Sequence, residues 1–469
     1  MDERVEGQIL EEIFSHSEAY ENLLVLADDI GSRVAGSAGE VAARDFLVET
    51  LERYGLDDVH TEAFPHRAWR PEREQLAVVG PVERELACRC AGLSPSTPEA
   101  GVEGEVVFLE RCDQSELEEN AERVRGRFVV APYYPYARQL KTPLAARFGA
   151  VGLIEHRSYS GGLQPARTCV FARTGDMPVA SISLEDAEYL RRLEARKGSV
   201  RLRLTLDSRI ERKDSWNVVG QIEGTGGGDE LLIAGGHYDT WHVGPGAIDN
   251  AAGVVAVLEA ARGLIRYRQH LPRTVRFVLF GVEESGLVGA WAYTREHETE
   301  LDDTILMINN DVGGRPSGLG LMGFGDLKPS LVEVAQRVRV EGGEGAEPFQ
   351  VSVGGPGGWG SDHFPFVAHG VPAIGLGTES ALPEDRFYGH TRADTAEKVY
   401  EQGLTECAAI DAQVLHHVAN LPKRPAARKT QAQMEALFRD HDFTGTLELL
   451  DLWPPEHVKQ RYFDIPDEL

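Results

Sequence analysis

The stretch Leu231-Leu232-Ile233-Ala234-Gly235-Gly236-His237-Tyr238-Asp239 and its continuation Gly244-Pro245-Gly246-Ala247-Ile248-Asp249-Asn250-Ala251-Ala252-Gly253 decides the fold. The uncharged run 231–236 suits a strand buried on both faces. A turn bearing Gly and Pro follows. Residues 251–265 then set Val254, Val255, Val257, Leu258 and Leu264 among small residues, which predicts a helix. The same alternation continues outward. Residues 274–280 and 304–308 predict strands, 328–338 a helix, 371–376 a short strand and 396–421 a long helix. Strands alternating with helices predict an α/β fold whose mixed, largely parallel central sheet is flanked by helices.

Upstream, residues 8–26 carry Ile9, Leu10, Ile13, Tyr20, Leu23, Leu24 and Leu26 near helical period. The segment Gly31-Ser32-Arg33-Val34-Ala35-Gly36-Ser37 breaks that pattern, residues 40–54 resume it, and Gly55 is a C-cap. Residues 58–64 alternate like a strand. Between 66 and 207 short β-like runs alternate with turns, and 184–195 reads as a helix, so this stretch is expected to be a separate β-rich module. It reads as a lid or partner surface rather than a second catalytic unit. The chain then divides into 1–65 and 208–422 as two parts of one catalytic domain, 66–207 as an insertion, and 423–469 as a C-terminal extension. At roughly 150 residues per domain, 469 residues agree with two to three domains. The extension, with an amphipathic helix near 431–438, is expected as a solvated, partly ordered tail or as a homo-oligomer contact.

Lys plus Arg total 48 against 75 Asp plus Glu, a formal charge of -27. A field of that sign repels phosphate backbones and anionic lipid, which argues against nucleic-acid binding. No apolar run reaches the ~18 residues of a membrane helix. The start Met1-Asp2-Glu3-Arg4-Val5-Glu6 lacks the pattern of a signal peptide. Five cysteines, Cys88, Cys90, Cys112, Cys169 and Cys407, are odd in number and lack the paired CxxC spacing of a structural zinc knuckle. Free thiols in a reducing cytoplasm are the expectation, and the protein is expected to be cytoplasmic.

Metal-compatible side chains stand just past the predicted strand ends, where open α/β sheets bind ligands. His237 and Asp239 follow one strand, Glu283 and Glu284 the next, and Asp311 a third. Asp249 opens the small-residue helix, and His390 lies in the loop before the last long helix. Two imidazoles and three carboxylates suit a pair of zinc ions with one carboxylate bridging. Two ions about 4 Å apart can acidify a shared water and polarise a carbonyl. A carboxylate that does not ligate can carry the proton to the leaving amine, and the adjacent Glu283-Glu284 supplies one ligand and one base.

These motifs, His237-Tyr238-Asp239, Gly246-Ala247-Ile248-Asp249-Asn250-Ala251-Ala252-Gly253, Glu283-Glu284-Ser285-Gly286-Leu287-Val288-Gly289, Asn310-Asp311 and His390-Thr391, resemble those of the co-catalytic dizinc exopeptidases. That superfamily includes bacterial leucyl aminopeptidases and glutamate carboxypeptidase. The 66–207 module is similar to the protease-associated domain that many members insert. The resemblance covers about 7–420 and implies the zinc exopeptidase fold with two zinc ions per chain. It implies His237 and Asp311 on one ion, Glu284 and His390 on the other, and Asp249 bridging. Glu283 becomes the general base, and Asp239 orients His237 and fixes its tautomer. A cis peptide is implied at Asp249–Asn250. The implied activity is hydrolysis of peptide or amino-acyl amide bonds, as an aminopeptidase first. A carboxypeptidase or small-molecule amidohydrolase is the alternative, and a dead binding homologue a third reading.

Each residue taken singly also has a plainer reading. Asp249 could be an N-cap, Glu283-Glu284 a helix-start charge, Asp311 a turn residue, and His237 or His390 a packing or loop histidine. Joint occurrence in the family's order outweighs these. On the substrate side, Arg315 and Arg392 could grip a carboxylate by bidentate contact, Tyr388 could donate to an oxyanion, and His363 could face substrate. Ion-pair and packing roles compete with all four. His242 is a tempting extra ligand to a set that is already full.

Overall fold

The computed structural model describes residues 3–134, 138–311, 313–340, 348–356, 358–380 and 388–466. The main strands are, in chain order, β1 (Asp57–Gly80), β2 (Arg201–Ile222), β3 (Leu231–His237), β4 (Thr274–Phe280), β5 (Thr304–Asn309), β6 (Arg315–Gly320), β7 (Gln350–Ser352) and β8 (Ala373–Glu379). Across the sheet they run β7-β6-β8-β5-β3-β4-β2. Strands β8, β5, β3 and β4 are mutually parallel, as expected from the alternation. Strands β6 against β8 and β2 against β4 are antiparallel, which makes the sheet mixed. From β3 the chain goes to β4 on one side, then returns to β5 on the other. The order therefore reverses at β3, the place where such sheets open a crevice at their carboxyl ends.

All seven residues of β3 are buried, and the helix Ala252–Ile265 behind it is buried throughout but for its last residue. Gly263 lets the N-terminal helix Glu3–Ser15 approach, since a Cβ there would lie 2.5 Å from Ile13 Cγ1. The single helix expected over 8–26 is divided. Helix Glu3–Ser15 ends, Ala19–Leu24 starts anew, and a π-helical turn Val25–Ile30 follows. The Ser17 hydroxyl accepts from the Ala19 amide at 3.3 Å, a local bond that competes with helix continuation.

The short strand expected at 58–64 runs on to Gly80, paired antiparallel with β2 as a long ribbon. Its middle, around Arg70 to Gln75, is largely exposed and lacks apolar alternation, so ladder hydrogen bonds hold it rather than burial. The positions 65 and 207 both lie inside this ribbon. Beyond it, strands Val102–Phe108, Phe128–Pro132, Gly152–His156 and Val179–Ile182 run parallel around a separate apolar core that includes Phe128, Ile154 and Leu190.

The extension departs from the solvated tail expected of it. It forms helices Gln431–Asp440, Thr444–Leu450 and Pro455–Phe463, whose Met434, Phe438, Leu447 and Val458 join the main core. Phe438 meets Phe364 and Trp453 at ring separations of 6.2 and 5.0 Å. The last two bury Leu447 and Leu450, and Pro455, Val458 and Tyr462, too few over such short spans to read as periodicity. All five cysteines are free and buried. Among the described residues, no helix is long and apolar enough to cross a membrane.

Candidate metal centre

The carboxyl ends of β3, β4 and β5 bring the predicted donors together. His237 Nε2 lies 3.3 Å from Asp249 Oδ1, 3.7 Å from Asp311 Oδ1 and 4.0 Å from Glu283 Oε2. His390 Nε2 lies 2.9 Å from Asp249 Oδ2 and 3.1 Å from Glu284 Oε2. Two donor triads result, His237-Asp249-Asp311 and Asp249-Glu284-His390, each with its ligand atoms within 4.8 Å of one another. Asp249 belongs to both and turns one oxygen to each imidazole. His237 Nε2 is buried without a hydrogen-bond partner, an orphaned lone-pair position facing carboxylates that a cation would satisfy.

The electrostatics follow from packing acids into a buried site. Burial pulls the His237 imidazole down, yet Glu283, Asp239, Asp249 and Asp311 together hold it well above its ordinary value. Burial raises Asp249, but His390 and His237 outweigh it and keep that carboxyl well below the usual range. Glu283 is pushed well up by burial and then by Glu284, Asp362 and Asp311, against the pull of His237. The same burial raises Glu284.

Local structure aims each donor. Asp239 accepts from the amides of Glu283 at 2.9 Å and Glu284 at 3.3 Å, so one carboxylate sets the turn that carries both acids. His237 Nδ1 sits 3.2 Å from the Asp239 backbone carbonyl and 3.6 Å from its carboxylate. The Asp249–Asn250 peptide is cis. Asn250 donates to the Asn310 carbonyl at 2.7 Å and accepts from the Gly253 amide at 3.0 Å, tying the turn to the end of β5. Gly236 and Gly253 both sit against that carbonyl, where a Cβ would come within 2.3 Å.

Sequence reasoning passed over two supports. Asp394 accepts from the amides of Ile248 at 2.6 Å and Asp249 at 3.1 Å, and burial pushes its carboxyl up to about 7. Arg33 is fully buried and donates to the carbonyls of Leu26, Gly31, Tyr238, Pro245 and Gly246, clamping the loop between β3 and Asp249. Burial lowers its guanidinium to about 10, opposed by Asp394, Asp239 and Asp249. Neither residue shows a spacing signal. An arginine in a helix-breaking segment looks like any surface arginine until the fold wraps around it.

The remaining candidates go elsewhere. Arg315 lies over the Tyr400 ring at 5.2 Å, and Arg392 is exposed beside Gly162. Tyr388 packs edge-on to Tyr159 at 6.0 Å. His363 opens the buried helix His363–Ala368, its Nε2 3.3 Å from the Gly358 carbonyl. His242 packs on Trp69 at 5.2 Å, and burial holds its imidazole down at about 4, outside the donor set.

A carboxylate–imidazole cage at the order reversal of the sheet is suited to hold metal ions. Residues 217–415 match the profile of Peptidase family M28. Over that stretch the chain is similar to the family, and the matched residues include all six of the predicted donors and base. It is 28% identical over 415 residues to Carboxypeptidase Q of Mus musculus, covering 86% of each chain. It is 29% identical over 390 residues to the probable lipoprotein aminopeptidase LpqL of Mycobacterium tuberculosis, covering 79% of this chain and 74% of that one. The solved Peptidase M28 precursor from Shewanella amazonensis SB2B superposes with a TM-score of 0.79 at 26% identity, covering 91% of this chain and 98% of that one.

Proposed function

We propose that the protein is a dizinc aminopeptidase that hydrolyses the first peptide or amino-acyl amide bond of a substrate with a free N-terminus. The observation that carries this reading is the pair of donor triads sharing Asp249, with Glu283 beside them and carboxylates rather than arginines around them. His237, Asp249 and Asp311 would hold one ion, and Asp249, Glu284 and His390 the other. Zinc, when bound, supplies Lewis acidity toward the scissile carbonyl and an acidified water. Glu283, 4.0 Å from His237 and outside both triads, would take a proton at its carboxylate and return it to the leaving nitrogen. Asp239 keeps Glu283 and Glu284 on separate bearings through their amides.

The second reading, a carboxypeptidase, is favoured by the likeness to Carboxypeptidase Q and by the exposed Arg392 beside the inserted module. Comparing a dipeptide with its N-acetylated counterpart, with zinc added and with chelator, separates the two. The aminopeptidase cleaves only the free amine, and only with metal. Cleavage of the N-acetylated peptide but not its C-terminal amide would assign the second reading, and chelator-resistant cleavage would end both.

A further inference from the structure

His390 comes from the catalytic body and turns Nε2 toward Asp249 and Glu284, but the partners of its Nδ1 side come from the inserted module. Its residue adopts φ +62°, in the left-handed region, which a non-glycine residue enters only when held there. The module holds it on several sides. The Ala166 amide donates to the His390 carbonyl at 2.7 Å, and the Arg157 guanidinium donates to the preceding Gly389 carbonyl. On the ring, Nδ1 faces the Ala166 carbonyl at 3.0 Å and the Tyr133 hydroxyl at 2.8 Å. That hydroxyl donates to the same carbonyl at 3.0 Å, and Arg157 covers the Tyr133 ring at 4.3 Å.

These contacts are themselves braced. Lys141 donates to the carbonyls of Pro132 and Tyr133, Arg167 pairs with Glu155, and Lys141 lies 3.4 Å from the same carboxylate. All three charges are at most 2% exposed. A buried ion cluster that breaks even in stability at best fixes geometry, here that of the two segments touching His390.

We propose that the module completes the metal centre, with Tyr133 as a positioning residue acting through His390. The Ala166 carbonyl accepts the Nδ1 proton, which leaves the Nε2 lone pair pointed at Asp249 and Glu284. The Tyr133 hydroxyl locks ring and carbonyl in that relation. The affinity of one metal position therefore depends on a residue outside the catalytic body. The inference rests on the dizinc reading above.

The test uses the full-length protein, zinc buffers of graded free concentration, and metal counting by mass spectrometry, with Co2+ loading to distinguish the positions by absorption. The parent should take two ions. Tyr133→Phe should bind the first as the parent does and the second about tenfold more weakly, within the range of lost outer partners of metal-bound histidines. Tyr134→Phe, which removes the hydroxyl of a neighbouring exposed tyrosine, should match the parent. Two ions held by Tyr133→Phe at parental affinity, or both weakened alike, would overturn the positioning role and leave the dizinc reading standing. A parent that never takes a second ion would remove both. Should Tyr133→Phe fail to fold, Arg157→Lys, which loosens the Gly389 contact, must show the same selective loss or the proposal falls.

Discussion

Arg33→Lys keeps the charge and removes the fork, and so isolates the clamp on the loop between β3 and Asp249. The guanidinium makes five hydrogen bonds of 2.6–3.0 Å to main-chain carbonyls. An ammonium has three protons to give. At least two of those carbonyls must then lose the side chain, although Leu26 and Gly246 keep the amides of Gly31 and Ala251 as partners. A hydrogen bond to a charged group contributes about 1.5–3 kcal/mol, so the variant should lose about 3–6 kcal/mol. With an unfolding entropy of about 2 cal/mol/K per residue, that corresponds to an apparent Tm lower by about 3–6 °C. Differential scanning calorimetry of the zinc-loaded protein reads the shift, with Arg70→Lys, an exposed arginine, as the control. Zinc affinity should fall as well, because the Gly246 carbonyl precedes Asp249 by three residues. Melting within 1 °C of the control, with zinc binding unchanged, would refute the clamp.

Two further outcomes are expected. Glu283→Gln should keep its zinc while kcat falls by about 10²–10⁴; loss of metal in that variant would make Glu283 a ligand instead of a base. Glu40, buried and bonded to the Gly36 amide and the Ser215 hydroxyl, has its carboxyl pushed by burial up to about 7 from an ordinary 4.5. The folded state holds this proton more tightly than the unfolded one. Its contribution is therefore complete below about pH 4.5 and lost as pH rises through 7, amounting to about 3 kcal/mol. The urea midpoint of the parent should fall over that window relative to Glu40→Gln, and parallel profiles would contradict the assignment.

What could be read from residues alone follows a physical division. Strands buried on both faces, such as β3, announce themselves because burial leaves no room for charge, and the acids just past them stand out against that background. His237, Asp249, Glu283, Glu284, Asp311 and His390 were therefore visible as a group, and the fold draws them into one cluster. Arg33, Asp394 and Tyr133 were not, because each acts through main-chain atoms or through another side chain and needs no particular spacing. Of the ribbon of β1 and β2, only residues 58–64 carry a strand signal, for a related reason. Its middle is held by ladder hydrogen bonds, which leave no hydrophobic signature. The docked extension was missed because its anchors are spread thinly over three short helices.

That ribbon has a consequence for how the insert could be lost or transplanted. Phe64 stands opposite Ser215, where an antiparallel ladder brings Cα atoms to about 5 Å. A two-residue hairpin there would excise everything beyond it and hand back an unbroken sheet. Such a trimmed protein would keep the scaffold of its ancestor while leaving the imidazole of His390 without guidance. The insert is topologically separable while its host leans on it chemically, so exchanging it between relatives would succeed only where tyrosine and histidine travel together.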